Sequence, residues 1–388
     1  MWETNVTLCQ TSADLVTQIQ YWNGTEEQYF ALYDYAIANV LRALPSARVG
    51  GLDVAGGPGG EWLGRFLDHT SHGHNNATTS IGAPLDFISF HAKGAPTYVN
   101  DTQFVPGHVQ MNVSASLHNV DDAFSVISSY PDYKDKPIII GEDDPDGCAA
   151  CVTAAYGYRN GLLYPSYTAV AFARDMELAT RHGVNLVGAL TWAFEFDDMP
   201  YFDGLRVLAT NQIDKPIMNV FRMFGKLNGQ QLSANSSAQL SLDTVLNDSV
   251  RGKPDVGVLA AFNETTNKLA IMVWNYHDDL LPKPDADISL TLSRVHGRWK
   301  HSQSARLTHY RIDNSHSNSY TRWLEMGAPQ QPSADQVAEL KASGMLQTLG
   351  EPSAVEMKGG EASLRFSLPI HAISLLVLEQ GSDSSTGG

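Results

Sequence analysis

The sequence lacks any apolar run approaching the roughly 18–20 residues needed to cross a bilayer, which excludes a helical membrane span. It also lacks a basic patch interleaved with aromatic residues. Its net charge of −16 comes from a mild excess of Asp and Glu spread along 388 residues. Neither nucleic acid nor a membrane surface is therefore expected as a partner. Cysteine is scarce, with Cys9, Cys148 and Cys151 the three present. Cys148-Ala-Ala-Cys151 has the spacing of a redox or half-zinc motif, but no second pair and no nearby histidine set accompanies it. A metal site is not expected, and a small disulfide bracing the loop after Glu142 is the better reading, with Cys9 left over. A secretory leader is absent too, since Met1-Trp2-Glu3-Thr4 has neither a positive n-region nor an apolar h-region. Against that absence stand eight Asn-x-Ser/Thr sequons, at Asn5, Asn23, Asn76, Asn100, Asn112, Asn235, Asn247 and Asn263. That density is expected of a secreted glycoprotein whose N-terminus is missing here.

What is present is organised around Lys136-Pro-Ile-Ile-Ile-Gly-Glu142-Asp143-Asp144. Three consecutive β-branched residues predict a strand buried on both faces, as in a parallel sheet, and it runs straight into three carboxylates. In parallel α/β barrels the chemistry sits at the carboxyl ends of the strands, which makes Glu142 the first catalytic candidate. The plainer reading is that these acids cap the next helix or face solvent.

Around this stretch the periodicity alternates. Thr25-x-x-Gln28 is a capping box opening a helix that Pro45 stops. Strands are predicted at 47–54, 85–91, 137–142 and 185–194, with helices near 61–69, 121–129, 169–183 and 216–227 between and after them. These are βα units of a parallel architecture. They are too few for an eight-stranded barrel, which needs about 250 residues, and a four-stranded open sheet is the alternative. Beyond Gly229 the pattern changes to strands at 256–262, 268–276, 288–293, 306–312, 363–368 and 373–378. With one capped helix at 333–342, they predict an antiparallel β-sandwich. The expected organisation is a partial barrel over 1–228, a sandwich over 229–380, and a disordered Ser/Gly-rich tail over 381–388.

Several segments resemble glycoside hydrolase family 39, the family of β-xylosidases and α-L-iduronidases. They are Trp22-Asn-Gly-Thr-Glu-Glu-Gln-Tyr-Phe-Ala-Leu-Tyr-Asp-Tyr35, Arg48-Val-Gly-Gly-Leu-Asp-Val-Ala-Gly-Gly57, Thr191-Trp-Ala-Phe194 and Lys215-Pro-Ile-Met-Asn219. Met272-Val-Trp-Asn275 and Trp323-Leu-Glu-Met-Gly-Ala-Pro-Gln-Gln-Pro-Ser333 extend the likeness through the second domain, the last segment being nearest the β-xylosidase branch. The resemblance implies a (β/α)₈ barrel with a β-sandwich and a retaining hydrolase acting on an oligosaccharide or glycoside, most simply a β-xylosidase with no cofactor. It places the nucleophile at Glu142, at the end of the seventh barrel strand, and the acid/base at Glu3, in Trp2-Glu3-Thr4-Asn5. The latter departs from the family's Trp-Asn-Glu-Pro on both sides of the Glu. Retention requires two carboxyls roughly 5–5.5 Å apart, one protonated to serve the leaving group and one ionised to attack. His91 stands where the family has a histidine near the nucleophile, although a histidine at a strand end is as often a satisfied core residue. Trp192, expected to end the eighth strand, would be a platform for a pyranose face. Glu195 follows as a hydroxyl-binding candidate, with solvent exposure as the plainer reading.

The resemblance also implies that strands one to three and nearly all of strand four lie outside this sequence. The expectation is a C-terminal half-barrel from an N-terminally truncated chain, with residues 4–20 an insertion. A non-catalytic carbohydrate-binding or scaffold protein that keeps Glu142 and Trp192 is the second reading. Xylose, iduronate and arabinose remain open as the glycone.

Overall fold

The computed structural model describes residues 24–54, 61–103, 105–293 and 303–380, and the backbone of residues 2–3. Cys9, the sequons at Asn5 and Asn23, residues 4–20, the Glu3 side chain and the tail 381–388 lie outside the described residues. The chain forms two compact units, one of residues 1–95, 112–147 and 171–192, the other of residues 96–111, 148–170 and 193–388.

The first unit alternates strand and helix. Its elements are β1 (Trp2–Glu3), α1 (Glu26–Ala43), β2 (Val49–Val54), α2 (Glu61–His72), β3 (Phe87–Lys93), α3 (Val113–Ser128), β4 (Pro137–Asp144), α4 (Leu163–His182, from Ala171 onward) and β5 (Asn185–Ala189). The Thr25 hydroxyl accepts the Gln28 N–H at 3.3 Å while the Gln28 side chain accepts the Thr25 N–H at 2.9 Å, satisfying two of α1's free donors. Tyr29, Tyr33 and Ile37 then form the buried stripe of that helix.

The strands order as β1-β2-β3-β4-β5, and every neighbouring pair is parallel. Ile138 and Ile140 are fully buried, as a strand covered on both faces requires, and each such burial contributes about 1.5–3 kcal/mol. The architecture is α/β, as expected, but the described residues contain no closed barrel.

Four boundaries differ from expectation. Helix α3 begins at Val113 rather than near Asp121, because the Asn112 side chain caps it by accepting the Ala115 N–H. Its first two turns carry a buried stripe of Val113, Leu117 and Val120 at helical spacing, interrupted by Ser114 and Ser116. Helix α4 begins at Leu163, six residues before the predicted start. Strand β4 runs through Asp143 and Asp144, so those acids are strand residues and not a loop. Strand β5 stops at Ala189, so Trp192 lies beyond it. The reason is local: the Leu190 N–H still reaches the Ile140 carbonyl, but the Thr191 hydroxyl and Trp192 N–H turn to the Asp144 carboxylate.

The second unit is antiparallel. Strands β6 (Gln230–Leu232), β7 (Asp255–Asn263), β8 (Lys268–Tyr276), β10 (Ser304–Ile312), β11 (Gln347–Thr348), β12 (Ser353–Glu356) and β14 (Ile373–Gln380) form a seven-stranded sheet. Strands β9 (Ala286–Leu292) and β13 (Ala362–Leu368) pair separately. Leu292, Ala362 and Leu368 from that pair share one core with Ile271, Val273 and Leu376 of the large sheet, which makes the two sheets a sandwich. The helix opened by the Ser333/Gln336 capping box runs Ala334–Gly344. Cys148 and Cys151 form the expected disulfide. The buried Arg159 guanidinium clamps its loop, donating to the carbonyls of Cys148 and Cys151 at 2.5 Å each.

Candidate active site

The site is built at the carboxyl ends of β2, β3 and β4. An irregularity in the ladder sets it up: Phe90 pairs with Ile140 but His91 pairs with Glu142, so Gly141 is an extra residue on β4. A bulge of this kind re-aims the side chains that follow it. Glycine is required there because a Cβ on residue 141 would collide with the Asp53 carboxylate. Asp53 itself has φ +59°, a left-handed backbone that Asp tolerates better than most residues.

After the bulge, alternation sorts the three acids of β4. Glu142 and Asp144 share one face, where the Lys93 ammonium lies between them, in contact with Glu142 and 2.5 Å from Asp144. Asp143 takes the other face, toward α3, where the Ser116 hydroxyl donates to it at 3.0 Å. His91 is buried, with Nε2 3.1 Å from Asp53 and Nδ1 3.8 Å from the Glu142 carboxylate. Glu142 keeps 24 % of its side chain exposed, so one edge of its carboxylate opens outward. Asp53, His91, Glu142, Lys93 and Asp144 thus lie along three adjacent strand ends, hydrogen-bonded at Lys93 and in close approach without a hydrogen bond at His91.

Asp144 extends that row. Its Oδ1 accepts the Thr191 hydroxyl at 2.5 Å and the Trp192 N–H at 3.3 Å, while Oδ2 accepts from Lys93. The backbone that carries Trp192 is therefore tied to the same carboxylate that holds Lys93. The indole is 47 % exposed, as a stacking platform would be.

Of the residues singled out from sequence, Glu142, His91 and Trp192 come together in the first unit. Glu3 is represented by its backbone, paired parallel with Gly50 at the carboxyl end of β1. Glu195 belongs to the second unit, where its carboxylate accepts the Gln212 N–H at 2.8 Å and supports a turn in which Asn211 and Gln212 both have positive φ. Lys93 and Asp53 were missed. The signal for Lys93 was available, because it lies two residues after His91 and so shares its face. Asp53 could not be placed without the bulges in β2 and β4.

The profile of Glycosyl hydrolases family 39 matches residues 17–351. The chain belongs to that family. Family members similar to it include the α-L-iduronidase of Mus musculus, 24% identical over 349 residues, covering 82% of this chain and 49% of that protein. The β-xylosidase of Caldicellulosiruptor saccharolyticus is 23% identical over 327 residues, covering 83% of this chain and 58% of that protein. Among solved structures, a bacterial orthologue of human α-L-iduronidase aligns with TM-score 0.69 at 18% identity, over 94% of this chain and 60% of that one. A monomeric β-xylosidase from Caulobacter crescentus aligns with TM-score 0.65 at 17% identity, over 92% and 66%. The chain spans about half the length of the curated relatives it matches.

Proposed function

We propose that this chain carries the nucleophile half of a retaining glycoside hydrolase, with β-xylosides as the preferred substrate. The observation that carries the reading is Glu142. It is a half-open carboxylate at the carboxyl end of a buried parallel strand, flanked by His91 and Lys93 from the neighbouring strand. In this reading Glu142 attacks the anomeric carbon, forming a glycosyl ester that water then hydrolyses. Lys93 orients the attacking carboxylate, and Asp144 keeps the ammonium paired when Glu142 loses its charge in the ester. His91, with Nε2 3.1 Å from Asp53, reaches toward the same carboxylate or a sugar hydroxyl. Trp192 stacks on the sugar face. Glu3 is the acid/base in this proposal, at the end of β1 in the same sheet.

The five parallel strands would be the end of the fourth to the eighth of a (β/α)₈ barrel spanning 1–228, with 229–380 its β-sandwich. The disulfide and the sequons support a secreted protein.

One observation favours a second glycone. Lys93 places a cation beside the candidate nucleophile, where it would pair with the carboxylate of a uronic acid, and two α-L-iduronidases are among the relatives. Aryl β-D-xyloside and aryl α-L-iduronide assayed side by side separate the two. A 2-deoxy-2-fluoro glycoside of the better sugar, which accumulates the covalent intermediate, is expected to label Glu142. Absence of turnover and label, with retained binding of xylo-oligosaccharide, would favour a carbohydrate-binding protein instead.

A further inference from the structure

Directly behind Glu142 lies a second pair of acids that the catalytic reading leaves unused. Asp143 on β4 and Asp175 on α4 are both buried, and their side chains face one another. Ser116 on α3 donates to Asp143 Oδ1 at 3.0 Å. Among the described residues no donor reaches Asp143 Oδ2 or either oxygen of Asp175. An ionised carboxylate can only accept hydrogen bonds. Three buried acceptors without a donor would cost several kcal/mol, and two adjacent buried anions would cost more. A single proton reduces both penalties: it turns one carboxyl into the donor the other requires, which satisfies two of the three oxygens, and it removes one of the two charges.

We infer that Asp143 and Asp175 share one proton, and that this O–H···O⁻ bond fastens β4 to α4 and so positions Glu142, the residue before Asp143. The charged groups facing the pair are Asp144 on β4 and Lys93 on β3. Helix α3 contributes the neutral Ser116, and beyond β5 the Leu190 carbonyl takes the Asp143 backbone N–H at 2.7 Å. Burial raises both acids above the ordinary carboxylate range. The Asp144 charge adds to the rise at Asp143, and the Asp143 charge adds to it at Asp175, while Lys93 is too weak a counterweight to reverse it.

The sign follows from linkage. Both folded values lie above the unfolded ones, so the pair stabilises the fold fully below the unfolded carboxylate value of about 3.9. That contribution is lost as pH rises through the raised folded values.

The experiment has one readout without a variant and one with. Infrared titration of the wild-type chain is expected to show a protonated carboxylic C=O stretch persisting at neutral pH. It should shift on deuteration and be missing in both Asp143→Asn and Asp175→Asn. In Asp175→Asn the amide supplies the donor without a titrating proton. Its unfolding midpoint should match wild type near about pH 4 and exceed it increasingly as pH rises and the wild-type pair loses its proton. If Asp175→Asn does not fold, Asp143→Asn reads out the same difference. No carboxylic band in wild type at neutral pH, or parallel stability-against-pH curves for wild type and variant, overturns the inference. The positioning of Glu142 rests on the proposed glycosidase reading. There, the rate of covalent labelling of wild type relative to Asp175→Asn should fall with rising pH. Absence of labelling in both proteins at every pH would sink the glycosidase reading and leave the shared proton to be decided by the infrared band.

Discussion

Glu142 is distinguished from the two acids beside it by what each side chain faces. Asp144 is fully buried and spends its oxygens on Lys93, Thr191 and the Trp192 backbone, which makes it a structural anchor. Asp143 points into the α3/α4 face. Glu142 alone combines exposure with a cation and an imidazole at its carboxylate. Replacing it by Gln keeps the shape and removes the proposed nucleophile, so turnover of an aryl glycoside should fall on the order of 10³-fold or more, with no covalent label. Full turnover in that variant would remove Glu142 from the role. Lys93→Met should lower kcat for every substrate, because the ammonium orients Glu142. If a uronide is the substrate, KM for the uronide should also rise by about tenfold or more, the loss of a charge-assisted hydrogen bond worth about 1.5–3 kcal/mol, while KM for the xyloside stays within a few-fold.

Among the elements, β4 and the strand beside it decide the site through a single extra residue. Were Gly141 a regular ladder residue and not a bulge, Glu142 would share the face of Ile140 and the carboxylates would exchange faces. Gly141→Ala drives a methyl into the buried Asp53 carboxylate, which has His91 on one side and a left-handed backbone beneath it. A loss of about 1–3 kcal/mol in denaturant unfolding is expected, together with reduced labelling of Glu142. Unchanged stability would mean that Asp53 is free to move. The elements with strong local signals were legible in sequence: the Thr25 and Ser333 capping boxes and the Ile138–Ile140 run each appear where expected. Helix α3 was half legible because its start depends on the Asn112 cap, and Trp192 was misplaced because β5 gives up its ladder to reach Asp144.

For the molecule as a whole, stability should depend on pH through groups far from Glu142 in sequence. In the second unit Lys215 is fully buried, donates to the Leu205 carbonyl at 2.9 Å, and burial pulls its ammonium down to about 7. Its folded value lies below the unfolded value of 10.5, so the folded state binds fewer protons between the two. Stability should rise with pH across that window. Lys215→Met is expected to flatten this rise in thermal melts taken from about pH 7 to about pH 10.5, and an unaltered slope would contradict the buried neutral amine. The Cys148–Cys151 bridge closes so short a loop that its removal in Cys148→Ser should cost only about 2 kcal/mol by the chain-entropy estimate, read from urea midpoints.

The sequence by itself determined the secondary-structure alternation, the change to antiparallel strands after residue 229 and the disulfide, and it singled out Glu142 as the candidate, because each rests on local spacing or a short motif. Tertiary structure decided what surrounds Glu142. Lys93, Asp53 and Asp175 stand 49, 89 and 33 positions from it, and only the parallel pairing of β2, β3 and β4 and the packing of α4 on the sheet bring them within reach. Which face each acid of β4 occupies was also a tertiary matter, since one inserted glycine shifts the phase of a two-residue repeat and no local pattern records where the neighbouring strand takes up the slack.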